Sequence, residues 1–211
     1  MPLQNRVTPE GDIVADPARG TLTGNRGVLH RVDRTLGDSR WRHKAWIACR
    51  LEFKNRHRVV MTPGRWTELF FLDEAVALAA GHRPCAECRR AEYLAFKAAF
   101  AAAHGEAVAA SAKAIDDRLH ACRVDSRTRR QIRYEAAAES LPDGTFVLSD
   151  GTPHLVRQGQ LLRWRMTGYD VAKPILGGMV TVLTPSATIA TLAAGYPADV
   201  HDSAAAALAA V

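Results

Sequence analysis

LFFLDEAVALAAGHRPCAECRR, residues 69–90, holds the signals from which the rest of the chain can be read. Leu69-Phe70-Phe71-Leu72 follows the Pro63-Gly64 turn and is a short apolar run of the kind that forms a buried strand. Asp73 is a good N-cap with acidic Glu74 behind it, so a short helix should run to about Ala80 and stop at Gly81. His82-Arg83-Pro84-Cys85-Ala86-Glu87-Cys88 then opens a longer helix to about Ala103. On that helix Tyr93, Phe96 and Phe100 fall at i, i+3 and i+7, a core stripe. A third helix is expected over Ser111 to Cys122, and Arg123 to Arg133 reads as a basic connector.

Upstream, WIACRLEF (residues 46–53) alternates, with Ile47, Cys49, Leu51 and Phe53 on one face and Arg50 and Glu52 on the other. This predicts a half-buried strand with Cys49 facing inward, a turn at Lys54-Asn55-Arg56, and a return strand over His57 to Met61. Residues 1–40 are rich in Gly, Pro and Arg and read as short extended pieces and turns. Downstream of Leu141 the texture becomes β, with turns at Leu141-Pro142-Asp143-Gly144 and Asp150-Gly151 and strands in TFVLS, HLVR, QLLRWRM and MVTVLT. Pro185 should start a short helix to Ala194, and the Ala-rich end reads as a mobile tail. No repeat is visible. The expectation is an α+β protein. Residues 1–135 form a zinc-centred β-hairpin plus helices with basic segments, and 136–211 form an antiparallel β-rich region.

The 211 residues carry 28 Lys and Arg against 22 Asp and Glu, and where this charge lies matters more than its sum. Residues 1–60 hold 12 cations and 6 anions, and residues 112–133 hold 7 and 3, so two basic segments flank a near-neutral middle. Such asymmetry suggests a polyanion partner, with nucleic acid first among them. A solvated basic surface is the plainer reading. No run approaches the roughly 18 apolar residues of a membrane span. MPLQNRVTPEGD, residues 1–12, has no apolar core after a basic patch, so a cytoplasmic protein without membrane contact is expected. Oligomeric state is left open.

Cys49, Cys85, Cys88 and Cys122 occur without a secretory context, where metal binding or catalysis is a better default than disulfides. Cys85-x2-Cys88, after a proline and before a helix, has the shape of a zinc half-site. The turn aims both thiolates and its N–H groups at one ion, and the helix N-terminus favours the negative charge. Zinc needs four ligands, and Cys49 is the third candidate. The fourth is left open among His, Asp, Cys122 and water. A redox pair is the rival use of a CxxC, but no thioredoxin-like βαβ pattern surrounds it.

Residues 69–90, with their aromatic strand, Ala-rich helix and Gly-x-Arg-Pro-Cys-x-x-Cys, resemble the second half of the metal-binding module of Ada-type alkylation-response proteins. They are similar also to small zinc modules attached to thermonuclease-like nucleases. Ile47-Ala48-Cys49-Arg50 resembles the Ada segment whose Cys-Arg pair supplies the first ligand, so the resemblance covers roughly residues 46–90. It implies a zinc site and work on DNA. The Ada module uses Cys-x3-Cys, whereas Phe53 stands four residues after Cys49. The nuclease-attached modules, with one histidine and three cysteines, suit this chain better, and on that resemblance His43, His57, His82 and His120 are candidates for the histidine, His120 preferred because His43 and His57 look surface-directed. Zinc deaminases also carry Pro-Cys-x-x-Cys, but alternation puts Glu52 on the face opposite Cys49, away from any bound water.

Several further residues bear on chemistry. Asp116 and His120 are four apart on a predicted helix, so the carboxylate could orient the imidazole for base work or metal binding. His30, after Gly24-Asn25-Arg26-Gly27, could sit in a phosphate-handling loop where Arg26 offers a bidentate fork. Arg123, Arg127, Arg129, Arg130 and Arg133 form the densest cationic stretch, suited to backbone phosphates. Trp41, Trp46, Trp66 and Trp164 could stack bases, although core or rim positions are commoner.

The sequence therefore predicts a zinc-containing DNA-binding protein of DNA processing or repair, with nuclease activity as its enzymatic form. Zn(2+) would be held by Cys49, Cys85, Cys88 and His120. Phosphates would be held by Arg26, Arg123, Arg127, Arg129 and Arg130, and water activated by His120, Asp116 or His30. The alternatives are a non-catalytic nucleic-acid-binding module with structural zinc, and a zinc hydrolase or deaminase with an open metal site.

Overall fold

The alternation around Cys49 builds a strand, but that strand pairs with partners distant in sequence rather than in a hairpin. The computed structural model describes residues 1–55 and 59–210. Among them are five α-helices and two six-stranded sheets, an α+β architecture. The first sheet comprises β1 (Gln4–Val7), β2 (Ile13–Ala15), β3 (Leu22–Asn25), β4 (Ile47–Arg50), β5 (Leu69–Phe71) and β6 (Arg83–Pro84), in the order β2-β1-β5-β3-β4-β6. β4 lies between antiparallel β3 and parallel β6. Residues 59–61, expected in a return strand, are not strand, and the rest of that prediction, including His57, lies outside the described residues.

The expected helices form, and side-chain caps start two of them. Asp73 caps α1 (Glu74–Ala79), accepting from the Val76 amide at 2.9 Å. Gly81 ends the turn at φ +86°, and a β-carbon there would stand 2.5 Å from Arg123 Cδ, so both backbone and space require glycine. α2 (Arg90–His104) buries Tyr93, Phe96 and Phe100. Ser111 caps α3 (Ala112–Arg123) by accepting from the Ala114 amide at 3.1 Å.

The second sheet starts earlier than expected, at Tyr134, and is antiparallel throughout. Its strands are β7 (Tyr134–Ala137), β8 (Phe146–Ser149), β9 (Thr152–Arg157), β10 (Gln160–Arg165), β11 (Gly168–Pro174) and β12 (Met179–Val182), ordered β11-β10-β9-β8-β12-β7. Period-two alternation gives it two apolar faces. Phe146, Leu155 and Leu162 join the large core that also holds Phe71, Phe96 and Phe100, while Val147, Val156 and Val182 form a smaller cluster. α4 (Ser186–Ala193) sits against the end of α2, where His104 Nε2 lies 2.9 Å from the Ala187 carbonyl.

The C-terminal residues are not a free tail. They form α5 (Ser203–Ala209), which buries Ala204 and Ala207 against the second sheet, and the Tyr169 amide donates to Ser203 Oγ at 2.8 Å. Two buried carboxylates at the start of α1 hold this end. Asp73 Oδ2 accepts from Tyr169 Oη at 2.8 Å and from the His201 amide at 3.0 Å. Glu74 accepts from Tyr196 Oη at 2.7 Å and the Asp199 amide at 3.0 Å, and pairs with Arg89 at 2.8 Å. Burial pushes the Asp73 carboxyl above its usual range, so its stability as an anion depends on these donors. No helix among the described residues is long and apolar enough to cross a membrane.

Asp73→Ala removes one helix cap and leaves two donors without their partner. The expected cost is about 2–4 kcal/mol in urea unfolding. Hydrogen exchange should rise in residues 199–209 before it rises in the sheets.

Candidate metal centre

Parallel pairing of β4 with β6 sets Ile47 opposite Arg83 and Ala48 opposite Pro84. The next amide along, that of Cys85, donates to the Ala48 carbonyl at 3.0 Å, which brings Cys85 beside Cys49. The turn of residues 85–89 then folds Cys88 back onto the same point, with the Arg89 amide donating to the Cys85 carbonyl at 3.2 Å. The three sulfurs lie within 4.8 Å of one another, and they form the one such group of His, Cys, Asp or Glu ligand atoms among the described residues. A soft trigonal sulfur set of this kind suits zinc or another thiophilic ion. Cys49 reaches it from the face opposite the one predicted: Ala48, and Trp46 just before the strand, are buried in the core, while Ile47 and Cys49 turn toward a cavity of about 300 Å³.

Electrostatics explains why the cluster wants a cation. The Cys49 thiol donates to Cys85, and the amides of Cys88 and Glu87 add their dipoles, so Cys85 is drawn down to about 5. The same hydrogen bond, together with burial, pushes Cys49 far above the usual thiol range, and burial raises Cys88. Crowding thus allows one thiolate, and a divalent ion would allow three.

The cavity at the sulfurs adjoins a larger one of about 740 Å³, and Asn25 and Trp66 line both. The larger cavity lies between residues 27–31 and residues 37–43, with Arg31, Arg42 and His43 on its walls. Gly27, at φ +103°, makes this possible, because a β-carbon there would stand 2.6 Å from Arg42 Cβ. His43 Nε2 lies 3.2 Å from Asn25 Oδ1.

His120 is not in the sulfur group. Its Nδ1 lies 3.0 Å from Arg123 Nη2, and its ring packs on Trp41 and Trp46. Nor does it pair with Asp116, which is buried and takes both oxygens to Arg83, at 2.8 Å each. A bidentate, desolvated guanidinium outcompetes a neutral imidazole for that carboxylate. His30 does line the larger cavity, but its Nδ1 lies 2.7 Å from Thr67 Oγ1 and its Nε2 3.2 Å from the Thr62 carbonyl.

Arg26 and Arg123, expected at a phosphate-binding surface, are 2% and 1% exposed. Their guanidiniums lie 4.1 and 3.9 Å from the Trp46 ring centre. Arg26 donates to the Gly11 and Ala80 carbonyls and to His82, and Arg123 to the Gly81 and Lys44 carbonyls. Burial pulls both down to about 9, which leaves them charged at neutral pH. Trp46 and Trp164 are buried and unavailable for stacking, whereas Trp41 and Trp66 are partly exposed. Arg127, Arg129 and Arg130 are exposed as expected, and Arg129 lies over Trp41 at 5.0 Å. The Arg-Trp-Arg cluster is the feature that local sequence could not reveal, since its members are 20 to 97 residues apart.

Two histidines of this cluster give a pH signature. Burial beside Arg26 and Arg123 drives His82 well below the usual imidazole range, and burial and Arg123 bring His120 to about 4. The unfolded chain, titrating near 6.5, binds these protons first, so their contribution is complete above about 6.5 and lost on acidification toward 4. The urea midpoint should fall between pH 7.5 and 5, and His120→Gln should flatten part of that fall.

Comparison with protein-family models, curated proteins and solved structures finds no match for the chain.

Proposed function

We propose that the chain is a zinc-containing DNA-binding protein of DNA processing or repair, working in the cytoplasm. The observation that carries the reading is the convergence of Cys49, Cys85 and Cys88 on one point, their sulfurs within 4.8 Å of one another. The resemblance of residues 46–90 to the Ada-type and nuclease-attached zinc modules agrees with it. On this reading residues 1–135 carry the metal and the contacts to DNA, and 136–211 complete the fold around them.

What supports a polyanion partner is the meeting of the two basic segments. Arg129 approaches Trp41 and Ser39, and Lys44 pairs with Asp117 at 2.8 Å, so residues 112–133 lie against residues 39–44. Arg127, Arg129 and Arg130 are exposed on a loop folded around Asp125, which accepts from the Arg127 and Thr128 amides. Phosphate contacts of this kind position a duplex without reading its sequence.

A non-catalytic module is favoured over a nuclease by a specific observation. Asp116 is committed to Arg83, and both ring nitrogens of His30 face protein oxygens, so two of the three groups expected to activate water already have other partners.

Metal analysis of the purified full chain should give one zinc per molecule, lost in Cys85→Ser. Loading at pH 7 should release about two protons per ion, from the thiols of Cys49 and Cys88 that crowding keeps protonated. A metal-free chain that binds no added zinc would sink the reading. Binding to random duplex should weaken steeply with salt. Changing Arg127, Arg129 and Arg130 together to alanine should lower the log–log slope by about 2 to 3.

A further inference from the structure

The sulfur group has three members and a solvent-facing side. Among the described residues no histidine or carboxylate completes it. The two carboxylates nearest in the lining are held elsewhere: Glu68 Oε2 accepts from the Met61 amide at 2.7 Å, and Glu87 pairs with Lys54 at 3.3 Å. On the open side lies the 300 Å³ cavity, which Trp66 and Phe70 line together with the three cysteines. A cavity of that size holds several waters or a small ligand. Asn25 and Trp66 also line the 740 Å³ cavity.

A closed structural zinc site takes four protein ligands, whereas an open one takes three and leaves a position for an exchangeable ligand. We propose that the metal bound by Cys49, Cys85 and Cys88 keeps its fourth position open to this double cavity, occupied by a water that a small anion displaces. The inference rests on the metal reading above and adds to it the role of the ion and the class of its ligand.

The charge of the walls selects that class. Three thiolates on a divalent ion leave the centre with one net negative charge, so an anion reaches it only where fixed cations offset that charge. Arg42 and Arg31 stand on the larger cavity and Arg50 on the smaller. Arg50 is anchored to Glu92 at 3.3 Å, and Arg31 is shared with Asp38 at 3.6 Å. Arg42 carries no ion pair among the described residues; its Nε donates to the Val28 carbonyl at 3.4 Å. Of the three arginines it is the one with no carboxylate partner among the described residues. A phosphate oxygen of a nucleic-acid strand belongs to the same class as a small inorganic anion.

The test uses the full chain loaded with Co(II), with azide as the probe. The absorption bands of Co(II) held by three thiolates should change saturably with azide, and Arg42→Ala should weaken the apparent affinity about three- to tenfold at unchanged metal content and unfolding midpoint. Arg163→Ala, in the second sheet and outside both cavities, should leave the titration unchanged. X-ray absorption on the zinc form should give three sulfurs and one oxygen. A spectrum blind to azide, with a shell of three sulfurs and one tightly held nitrogen, would overturn the open position while leaving the zinc reading intact. Failure to bind either metal would overturn both.

Discussion

Two arginines with no carboxylate partner among the described residues, buried over one tryptophan, are the constraint on which the candidate site depends. Arg26 leaves β3, Trp46 enters β4, and Arg123 ends α3, and the three meet beside the Gly81 turn that leads into β6. An unpaired guanidinium in the interior is costly, and here backbone carbonyls and the indole face compensate it. A desolvated cation over an aromatic ring contributes about 2 kcal/mol. The carbonyls of Gly11, Lys44, Ala80 and Gly81 are drawn to one point by the two fixed forks. Those carbonyls belong to the segments that must be in register for Cys85 to arrive beside Cys49.

The sulfur group inherits this rigidity. One thiol sits on a strand, one follows the parallel partner of that strand, and the third is set by a four-residue turn into α2. Such support on both sides is what a preorganised metal site requires, because the ligands pay little entropy on binding. The price of preorganisation is visible in the thiols themselves, which hold one another's protons until an ion replaces them.

The two halves of the chain are joined by the same device, carboxylates at the mouth of a helix. Asp73 caps α1 in the ordinary way and spends its other oxygen on Tyr169 and His201. Glu74 does likewise for Tyr196 and Asp199 while neutralising Arg89. α5 is therefore held by buried polar bonds as well as by its alanines, which is why a stretch of low sequence complexity is ordered.

Local grammar alone determined the first four helices, the Asp73 cap, the Tyr93-Phe96-Phe100 stripe, most of the second sheet and the three thiols, because each is written in neighbouring residues. Tertiary structure decided the rest. Parallel pairing over more than thirty residues turned an expected hairpin into the β4–β6 register, and period two cannot say which face of a strand meets the core. Asp116 and His120 share a helix face, yet Arg83, far away in sequence, takes the carboxylate with two hydrogen bonds. Arg26 and Arg123 read as surface charge because arginine usually is, and only the position of Trp46 makes their burial favourable. Charge type and ligand type are local properties of a chain, whereas burial and partnership are properties of its packing.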